Sequence, residues 1–165
     1  MKKIIFLIIS FVLILKFYNS IQLETDKNIA GILKPVVISS PPPTISPNVV
    51  ALKINDATKS FRLTNGLSDL KENLLACDFA EKRLGQMHTS FSHDLFYKQT
   101  DNILATTDGL QLIGENLYSG PVVDSNYIFN LWIKSPAHRD NLQKEYTHDC
   151  VRCDTEFCVH IFLKF

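Results

Sequence analysis

The side chains of this sequence that could form cross-links or bind a metal include four cysteines, three of them near the C-terminus. Cys153 and Cys158 flank four residues, so a hairpin loop between them would place the two thiols opposite each other. Our preferred pairing therefore joins Cys153 to Cys158 and leaves Cys77 to join Cys150. The alternative is a structural zinc site, because Cys150 and Cys153 have the C-x-x-C spacing of zinc ligands. Its remaining ligands would be Cys158 and one of two histidines, His148 or His160.

Motifs of nucleophilic catalysis are missing from the sequence. It contains neither a G-x-S-x-G nucleophile motif nor an H-E-x-x-H pair of zinc ligands. Ser92 directly precedes His93, and adjacent residues are poorly placed for the hydrogen bond by which a histidine activates a serine. Lysine plus arginine and aspartate plus glutamate both number 17, so no excess of positive charge is available to neutralise phosphates. We therefore favour binding over catalysis and expect no nucleic-acid partner.

The N-terminus has the pattern of an export signal. Lys2 and Lys3 precede an uncharged apolar run at residues 4–15. The run is shorter than the roughly 20 apolar residues of a typical membrane-spanning helix, but no small-residue cleavage site follows it. Residues 1–20 are therefore predicted to be a signal peptide or a signal anchor, and in the second case residues 4–18 would tether the protein to a membrane. Either way, we expect a secreted or membrane-anchored protein that faces the outside of the cytoplasm.

The remainder of the chain divides into a linker and one domain. Residues 21–47 are rich in proline, which favours extended backbone and disfavours helix, so we interpret them as a spacer. Residues 48–165 have the composition and the length of one small globular domain.

Hydrophobic spacing predicts the secondary structure of that domain. Apolar residues recur at intervals of three or four in three segments, each of which predicts a helix. For the second helix, Asp69 and Glu72 have the spacing of an N-terminal cap. In the third, Trp132 follows Ile128 by four positions, so we expect the indole in the core. The three segments lie at about 49–61, 69–87 and 124–135.

The C-terminal segment alternates as a strand covered on both faces would. A partner strand near residues 147–152 would complete a hairpin. Helices followed by this hairpin predict an α+β fold, with helices packed on a small antiparallel sheet. The two sets of alternating residues are Val159, Ile161 and Leu163 on one face and Cys158, His160 and Phe162 on the other.

Four short motifs follow one another between residues 50 and 165. They are Arg62-Leu-Thr-Asn-Gly66-Leu67, Phe91-Ser92-His93, Gly114-Glu115-Asn116 and Trp132-Ile-Lys-Ser135-Pro136-Ala-His138-Arg139-Asp-Asn141. With these motifs the chain resembles the CAP superfamily (cysteine-rich secretory, antigen five and pathogenesis-related proteins) in its bacterial SCP-like form. This resemblance implies an α-β-α sandwich of the CAP type, with helices packed around a small antiparallel sheet.

The resemblance also implies that His93, Glu115 and His138 meet in a central cleft. Eukaryotic relatives usually have a second glutamate three residues after the tryptophan, where this chain has Ser135, so the set is a triad at most. Two neutral imidazoles and a carboxylate could hold zinc with one coordination position open, and His93 and His138 would then be the metal ligands. Alternatively, the three side chains satisfy one another and hold no ion.

Other residues of the motifs have expected structural roles. We expect Asn116 to shape a turn after Glu115 through hydrogen bonds to backbone. Arg139 would pair with a carboxylate or stay solvated. Outside the motifs, His160 alternates with core positions, so we expect it to be packed and hydrogen-bonded.

Three functions are compatible with this sequence. The favoured one is an extracellular binding module whose ligand could be a lipid, a carbohydrate, a metal ion or a protein. The second is a metal-dependent hydrolase in which Glu115 is a ligand or the general base. The third is a structural surface protein with an inert cleft. The sequence requires no particular cofactor, and a divalent metal such as zinc is a possible one.

Overall fold

The computed structural model describes residues 45–165, which form one sheet between two layers of helices. The predicted signal segment and all but the last three residues of the predicted linker lie outside the described residues. Within residues 45–165, no helix combines the length and the apolar character that crossing a bilayer requires.

The described part of the chain contains five helices and four strands. The sheet has the strand order β1-β3-β4-β2, so β2 lies at one edge. Neighbouring strands are antiparallel except β1, which has two residues and runs parallel to β3. The predicted α+β class and CAP-type sandwich are confirmed. In chain order the elements are α1 (Pro47–Thr64), β1 (Lys71–Glu72), α2 (Leu74–Met87), α3 (Asp94–Thr106), β2 (Leu112–Ser119), α4 (Ser125–Lys134), α5 (Pro136–Gln143), β3 (His148–Cys153) and β4 (Phe157–Lys164).

Strand β4 is buried on both faces, and each face belongs to a different core. One set of its alternating residues, which includes Ile161, packs with α2 and α3. The other set, which includes Phe162, packs with α1, α4 and α5. Trp132 of α4 lies in this second core, and its indole N–H donates to the carbonyl of Leu117 at 2.9 Å. The two apolar faces predicted from the alternation are therefore the two cores of the sandwich.

Helix α3 was not predicted, because five consecutive polar residues, 98–102, separate its apolar residues into two groups. Only Phe96 and Thr100 of its thirteen residues are buried. Phe96 stacks on Phe79 of α2, with ring centroids 5.8 Å apart. A polar interruption of this length conceals the periodicity of the residues on either side of it.

The predicted cap of the second helix is wrong. Asn73 caps α2, since its side-chain oxygen accepts the backbone N–H of Leu75 at 2.9 Å and of Ala76 at 3.3 Å. Asp69 instead pairs with Lys59 of α1 at 2.5 Å. Strand β1 occupies the residues between Asp69 and the cap, and a two-residue strand has no recognisable sequence pattern.

Arg62 is a buried cation that fastens α1 to the end of α5. Its side chain is 1% exposed, and burial lowers the pKa of its guanidinium. The guanidinium donates to the carbonyl oxygens of Ser68 (2.8 Å), Leu142 (3.0 Å), Lys144 (2.8 Å) and Tyr146 (3.3 Å). These hydrogen bonds offset the cost of burying the charge, so Arg62 fixes the C-terminal end of α5 in the sandwich.

The structure joins Cys77 to Cys150 and Cys153 to Cys158, which is the pairing that we preferred from the sequence. The alternative zinc site needs thiolates. Within the described residues no cysteine is free. The C-x-x-C spacing here therefore reflects two disulfides that meet on the same hairpin.

The two disulfides should differ in their contribution to stability. The Cys77–Cys150 bond has a sequence separation of 73 and the Cys153–Cys158 bond one of 5. Loop-closure entropy predicts a loss of about 4 kcal/mol when both cysteines of the first pair are replaced by alanine, and about 2 kcal/mol for the second pair. Urea unfolding followed by circular dichroism measures both losses. An equal or reversed ranking would contradict this account.

Candidate functional site

Glu115 is held in the structure by a buried arginine. Its side chain is fully buried in the middle of β2, and Arg83 of α2 reaches it with two donors. Nε of Arg83 donates to Oε2 of Glu115 at 2.6 Å, and Nη2 donates to Oε1 at 3.2 Å. The other contacts of this guanidinium are the side-chain oxygen of Gln86 at 2.7 Å and the carbonyl of Ser92 at 2.8 Å. A paired, bidentate and fully hydrogen-bonded geometry is the one in which buried charges are tolerated.

His93 is positioned by the same pair of charges. Arg83 binds the carbonyl of Ser92, the residue that precedes His93, and Nδ1 of His93 lies 3.0 Å from Oε1 of Glu115. The His93 side chain is 38% exposed. Within residues 45–165, its Nε2 forms no hydrogen bond. The imidazole is therefore anchored at one nitrogen and available at the other.

His138 approaches the same strand from the other helical layer. The side-chain amide of Asn116 donates to the His138 carbonyl at 3.0 Å. Asn141, one turn further along α5, donates from its amide to the Glu115 carbonyl and to Oδ1 of Asn116, both at 3.0 Å. Glu115 and Asn116 are consecutive in β2, so their side chains point to opposite faces of the sheet. The Glu115 side chain thus binds residues on the α2 and α3 side of the sheet, whereas the Asn116 side chain binds α5.

The two histidines meet because β2 is the edge strand. Their ring centroids lie 6.3 Å apart, although His93 belongs to one layer of helices and His138 to the other. A central strand would keep the two layers separated by its neighbours. At the edge, side chains from both layers can reach around the strand, and the two imidazoles come close to one another there.

Gly114 allows α5 and its following segment to approach β2 closely. A Cβ atom at this position would overlap the hydroxyl of Tyr146 and lie 2.9 Å from its Cζ and 3.2 Å from Oδ1 of Asn141. Burial raises the pKa of Tyr146 to about 12, so the phenol stays protonated and its hydroxyl lies 3.5 Å from Asn141 Oδ1. The glycine of the Gly114-Glu115-Asn116 motif is therefore required by close packing.

Solved structures of bacterial proteins share this architecture. A cysteine-rich secretory protein from Staphylococcus aureus superposes with a TM-score of 0.63 and 22% identity, over 77% of this chain and 42% of that chain. An extracellular protein from Bacillus anthracis that contains an SCP domain gives a TM-score of 0.60 and 25% identity, over 77% of this chain and 45% of that one. The fold is that of a CAP domain.

A third solved structure is matched over almost its whole length. An outer surface protein from Borrelia burgdorferi matches with a TM-score of 0.57 and 21% identity, over 73% of this chain and 96% of that chain. In contrast, this chain spans less than half the length of the Staphylococcus and Bacillus proteins. No protein-family profile matches the sequence, and no curated protein is significantly similar to it. The function of this domain therefore has to be inferred from its own residues.

Asn116, Arg139 and His160 were expected to have structural roles, and the structure shows the surroundings of each. Asn116 is not at a turn, because Glu115 and Asn116 both lie inside β2; its amide holds α5 instead. Arg139 is exposed, and it forms no ion pair within the part of the chain that the structure describes. His160 is buried, and its Nε2 lies 2.8 Å from Oδ2 of Asp149, so it is packed and hydrogen-bonded as we expected.

Glu115 does not suit the role of a zinc ligand. Both of its oxygens bind Arg83, and a guanidinium at that distance repels a second cation. Within the described residues, the ligand atoms of His93, Glu115 and His138 do not all lie within 4.8 Å of one another. Among residues 45–165, the one set of three potential metal ligands that meets this distance is Glu72 with Cys77 and Cys150, and the two sulfurs form a disulfide. At most, the two imidazoles would hold an ion.

Sequence analysis did not identify Arg83 as part of the site. Its position nevertheless carries a signal, because it follows Ala80 by three residues and precedes Met87 by four on the buried face of α2. A charged residue at a core position needs a buried partner of opposite charge. Glu115 is such a partner, and Arg83 could have been inferred from the helical spacing alone.

The environment of His138 disfavours its charged form. Burial is the main cause that lowers the pKa of His138 below its ordinary value of 6.5; His93 lowers it further and Glu115 opposes the change. A histidine whose pKa is lower when folded takes up its proton more readily in the unfolded chain. Its contribution therefore reduces the unfolding free energy as the pH falls below about 6.5 towards the folded pKa.

Loss of charge at Glu115 should destabilise the domain more than loss of His93. Glu115→Gln leaves the Arg83 guanidinium buried without its counter-charge, and we expect the unfolding free energy to fall by about 3–5 kcal/mol. His93→Gln removes one hydrogen bond from a partly exposed side chain, which costs about 1 kcal/mol. Urea unfolding of both variants checks the difference. Similar losses would show that the ion pair is not the main anchor.

The His138 pKa should depend on His93. We expect the Cε1 proton of His138 to titrate with a midpoint below 6.5 in the unsubstituted protein. In His93→Gln, where repulsion between the two imidazoles is removed, the midpoint should move towards 6.5. Proton NMR against pH measures both values. His88→Gln, a change at a histidine that pairs with Asp154, is the matched control and should leave the His138 midpoint unchanged.

Proposed function

We propose that this protein is an exported CAP-domain binding module whose ligand contacts His93 and His138. The observation that supports this function is the contrast between the three cleft side chains. Glu115 is fully buried and bound by Arg83, whereas His93 is 38% exposed and His138 is half-buried. The buried carboxylate orients His93, and the two imidazoles are the groups that a ligand can reach.

Hydrolysis is less well supported by these contacts. A general base needs a carboxylate or imidazole within reach of a water or a substrate proton, and both Glu115 oxygens already accept hydrogen bonds from Arg83. Ser92 is not placed as an activated nucleophile, because within residues 45–165 its hydroxyl forms no hydrogen bond to a histidine or a carboxylate and only accepts the backbone N–H of Asp94 at 3.2 Å. The side chains of Glu115, Arg83 and Ser92 are thus engaged in hydrogen bonds within the protein, as expected for the rigid wall of a binding site.

An exposed aromatic side chain beside His93 extends the surface available to a ligand. Tyr97 is 64% exposed, and its ring lies 6.3 Å from that of His93. Aromatic rings contribute apolar contact area, while imidazoles donate or accept hydrogen bonds. A ligand with polar and apolar parts suits this surface, which includes lipids, glycans and peptides.

We also propose that the domain works outside the cytoplasm. Two disulfides persist in oxidising compartments and are rare in cytosolic proteins. The structural neighbours include proteins described as secretory, extracellular and outer surface. The N-terminal segment with its apolar run at residues 4–15 would export the chain, and if it is not cleaved, residues 4–18 would tether the protein to the membrane.

A metal ion is a second candidate ligand, and one contact favours it. Glu115 holds Nδ1 of His93, and metal-bound histidines commonly have their other ring nitrogen held by a carboxylate. His93 and His138 would bind the ion, and Glu115 would orient His93 without touching the metal. Imidazole suits zinc, copper and nickel, so zinc is the appropriate first probe.

Zinc titration by calorimetry tests this site. The full chain with both disulfides formed is compared with the double variant His93→Ala, His138→Ala. We expect zinc binding in the unsubstituted protein and its loss in the double variant. His88→Ala is the matched control, since it removes an exposed histidine that lies outside the cleft residues.

The possible outcomes separate the candidate functions. Equal binding in the double variant would place zinc outside the cleft. If no zinc binds to any of the three proteins, the same proteins can be followed by NMR during titration with phospholipid vesicles and soluble glycan fragments. A binding module then predicts shifts of the His93 and His138 ring protons. An inert cleft predicts that neither imidazole responds to any probe.

A further inference from the structure

A cavity lies between α1, the segment before β1, and β3. It has a volume of about 190 Å³, and its lining residues include none of His93, Glu115 and His138. Four carboxylates line it, and Lys59 is the one cation among the lining residues. The acidic residues are Asp56, Asp69, Glu72 and Asp149.

Thr58 places an unpartnered hydroxyl at this cavity. Its side chain is 1% exposed, and Oγ1 has no hydrogen-bond partner within the part of the chain that the structure describes. The hydroxyls of Ser60 and Thr64 on the same helix instead donate to the carbonyl four residues earlier, at 2.8 and 2.7 Å. A helical threonine usually does the same. Thr58 is therefore oriented differently from its helical neighbours, at an energetic cost.

Asn55 supplies a second unpartnered oxygen. Its Oδ1 is buried at the same cavity and forms no hydrogen bond within residues 45–165. Asn55 and Thr58 are three residues apart on α1, so their side chains lie on one face of the helix. Two neighbouring acceptor oxygens without donors mark a place that suits a bound cation.

Asp149 provides a fixed carboxylate beside these oxygens. Its residue is 7% exposed, and Oδ2 is held by Nε2 of His160 at 2.8 Å. Within the described residues its Oδ1 accepts no hydrogen bond. Asp69 is paired with Lys59, and Glu72 lies 3.8 Å from the Arg152 guanidinium. Among the described residues that line this cavity, Asp149 is thus the buried carboxylate whose second oxygen can bind a ligand.

We propose that this cavity binds a calcium ion through Asn55 Oδ1, Thr58 Oγ1 and the Asp149 carboxylate. All three donors are oxygens, which calcium prefers, and calcium accepts six to eight ligands in flexible geometry with water as a common ligand. A water occupies about 30 Å³ of liquid, so the cavity has room for an ion and several waters. With one carboxylate and two neutral oxygens from the protein, we expect an affinity in the range of about 0.1–1 mM that extracellular calcium modules use.

Thermal unfolding of the full chain tests this site. About 10 mM calcium chloride should raise the Tm by roughly 3–8 °C relative to sodium chloride of equal ionic strength. Thr58→Val keeps the shape of the side chain and removes the hydroxyl. This variant should lose most of the calcium-dependent shift, while its Tm without calcium should equal or exceed that of the unsubstituted protein.

Two further variants complete the experiment. Asn55→Asp adds a charged ligand and should tighten calcium binding severalfold in calorimetry. The double variant His93→Ala, His138→Ala should keep the full Tm shift, because it leaves this cavity intact. The proposal is overturned if calcium does not shift the Tm of the unsubstituted protein. It is also overturned if Thr58→Val responds to calcium as fully as the unsubstituted protein does.

Discussion

The buried ion pair between Arg83 and Glu115 is the interaction on which the rest of the cleft depends. It joins α2 to the edge strand β2, and through the carbonyl of Ser92 it also fixes the loop that carries His93. Charges of this kind are costly to bury unless their geometry and hydrogen bonds are complete. Here the carboxylate accepts from the guanidinium and contacts an imidazole, so little freedom remains in the site.

Because β2 lies at the edge of the sheet, residues from both layers of helices contribute to the site around this ion pair. Successive residues of β2 serve opposite faces of the sheet, with Glu115 holding His93 and Asn116 holding the backbone of His138. Arg62 stabilises the second layer by a different means, since it binds the carbonyl of Ser68 and three carbonyl oxygens at and after the end of α5. Each layer of helices is thus fixed by a buried arginine.

Short motifs and apolar patterns predicted much of this arrangement, and the reasons for the failures are physical. The alternation around Ile161 and Phe162 predicted a doubly covered strand, because two cores require two apolar faces. Helix α3 was not predicted, since polar residues 98–102 interrupt its apolar pattern. Asn116 was expected at a turn, as its residue type favours turns, but tertiary contacts with α5 determine its role. The position of Arg83 in an apolar stripe indicates a buried partner, but only the fold brings it to Glu115, which is 32 residues away in the sequence.

The burial and pairing of Arg83 can be measured directly from the exchange of its side-chain Nε proton with solvent. In the structure this proton is donated to Glu115, and the Arg83 side chain is fully buried. We therefore predict exchange that is orders of magnitude slower than at the exposed Arg139, measured by nitrogen-15 NMR of the same sample. Equally fast exchange at the two arginines would mean that Arg83 is solvated and that Glu115 lacks its anchor, which would contradict this account of the cleft.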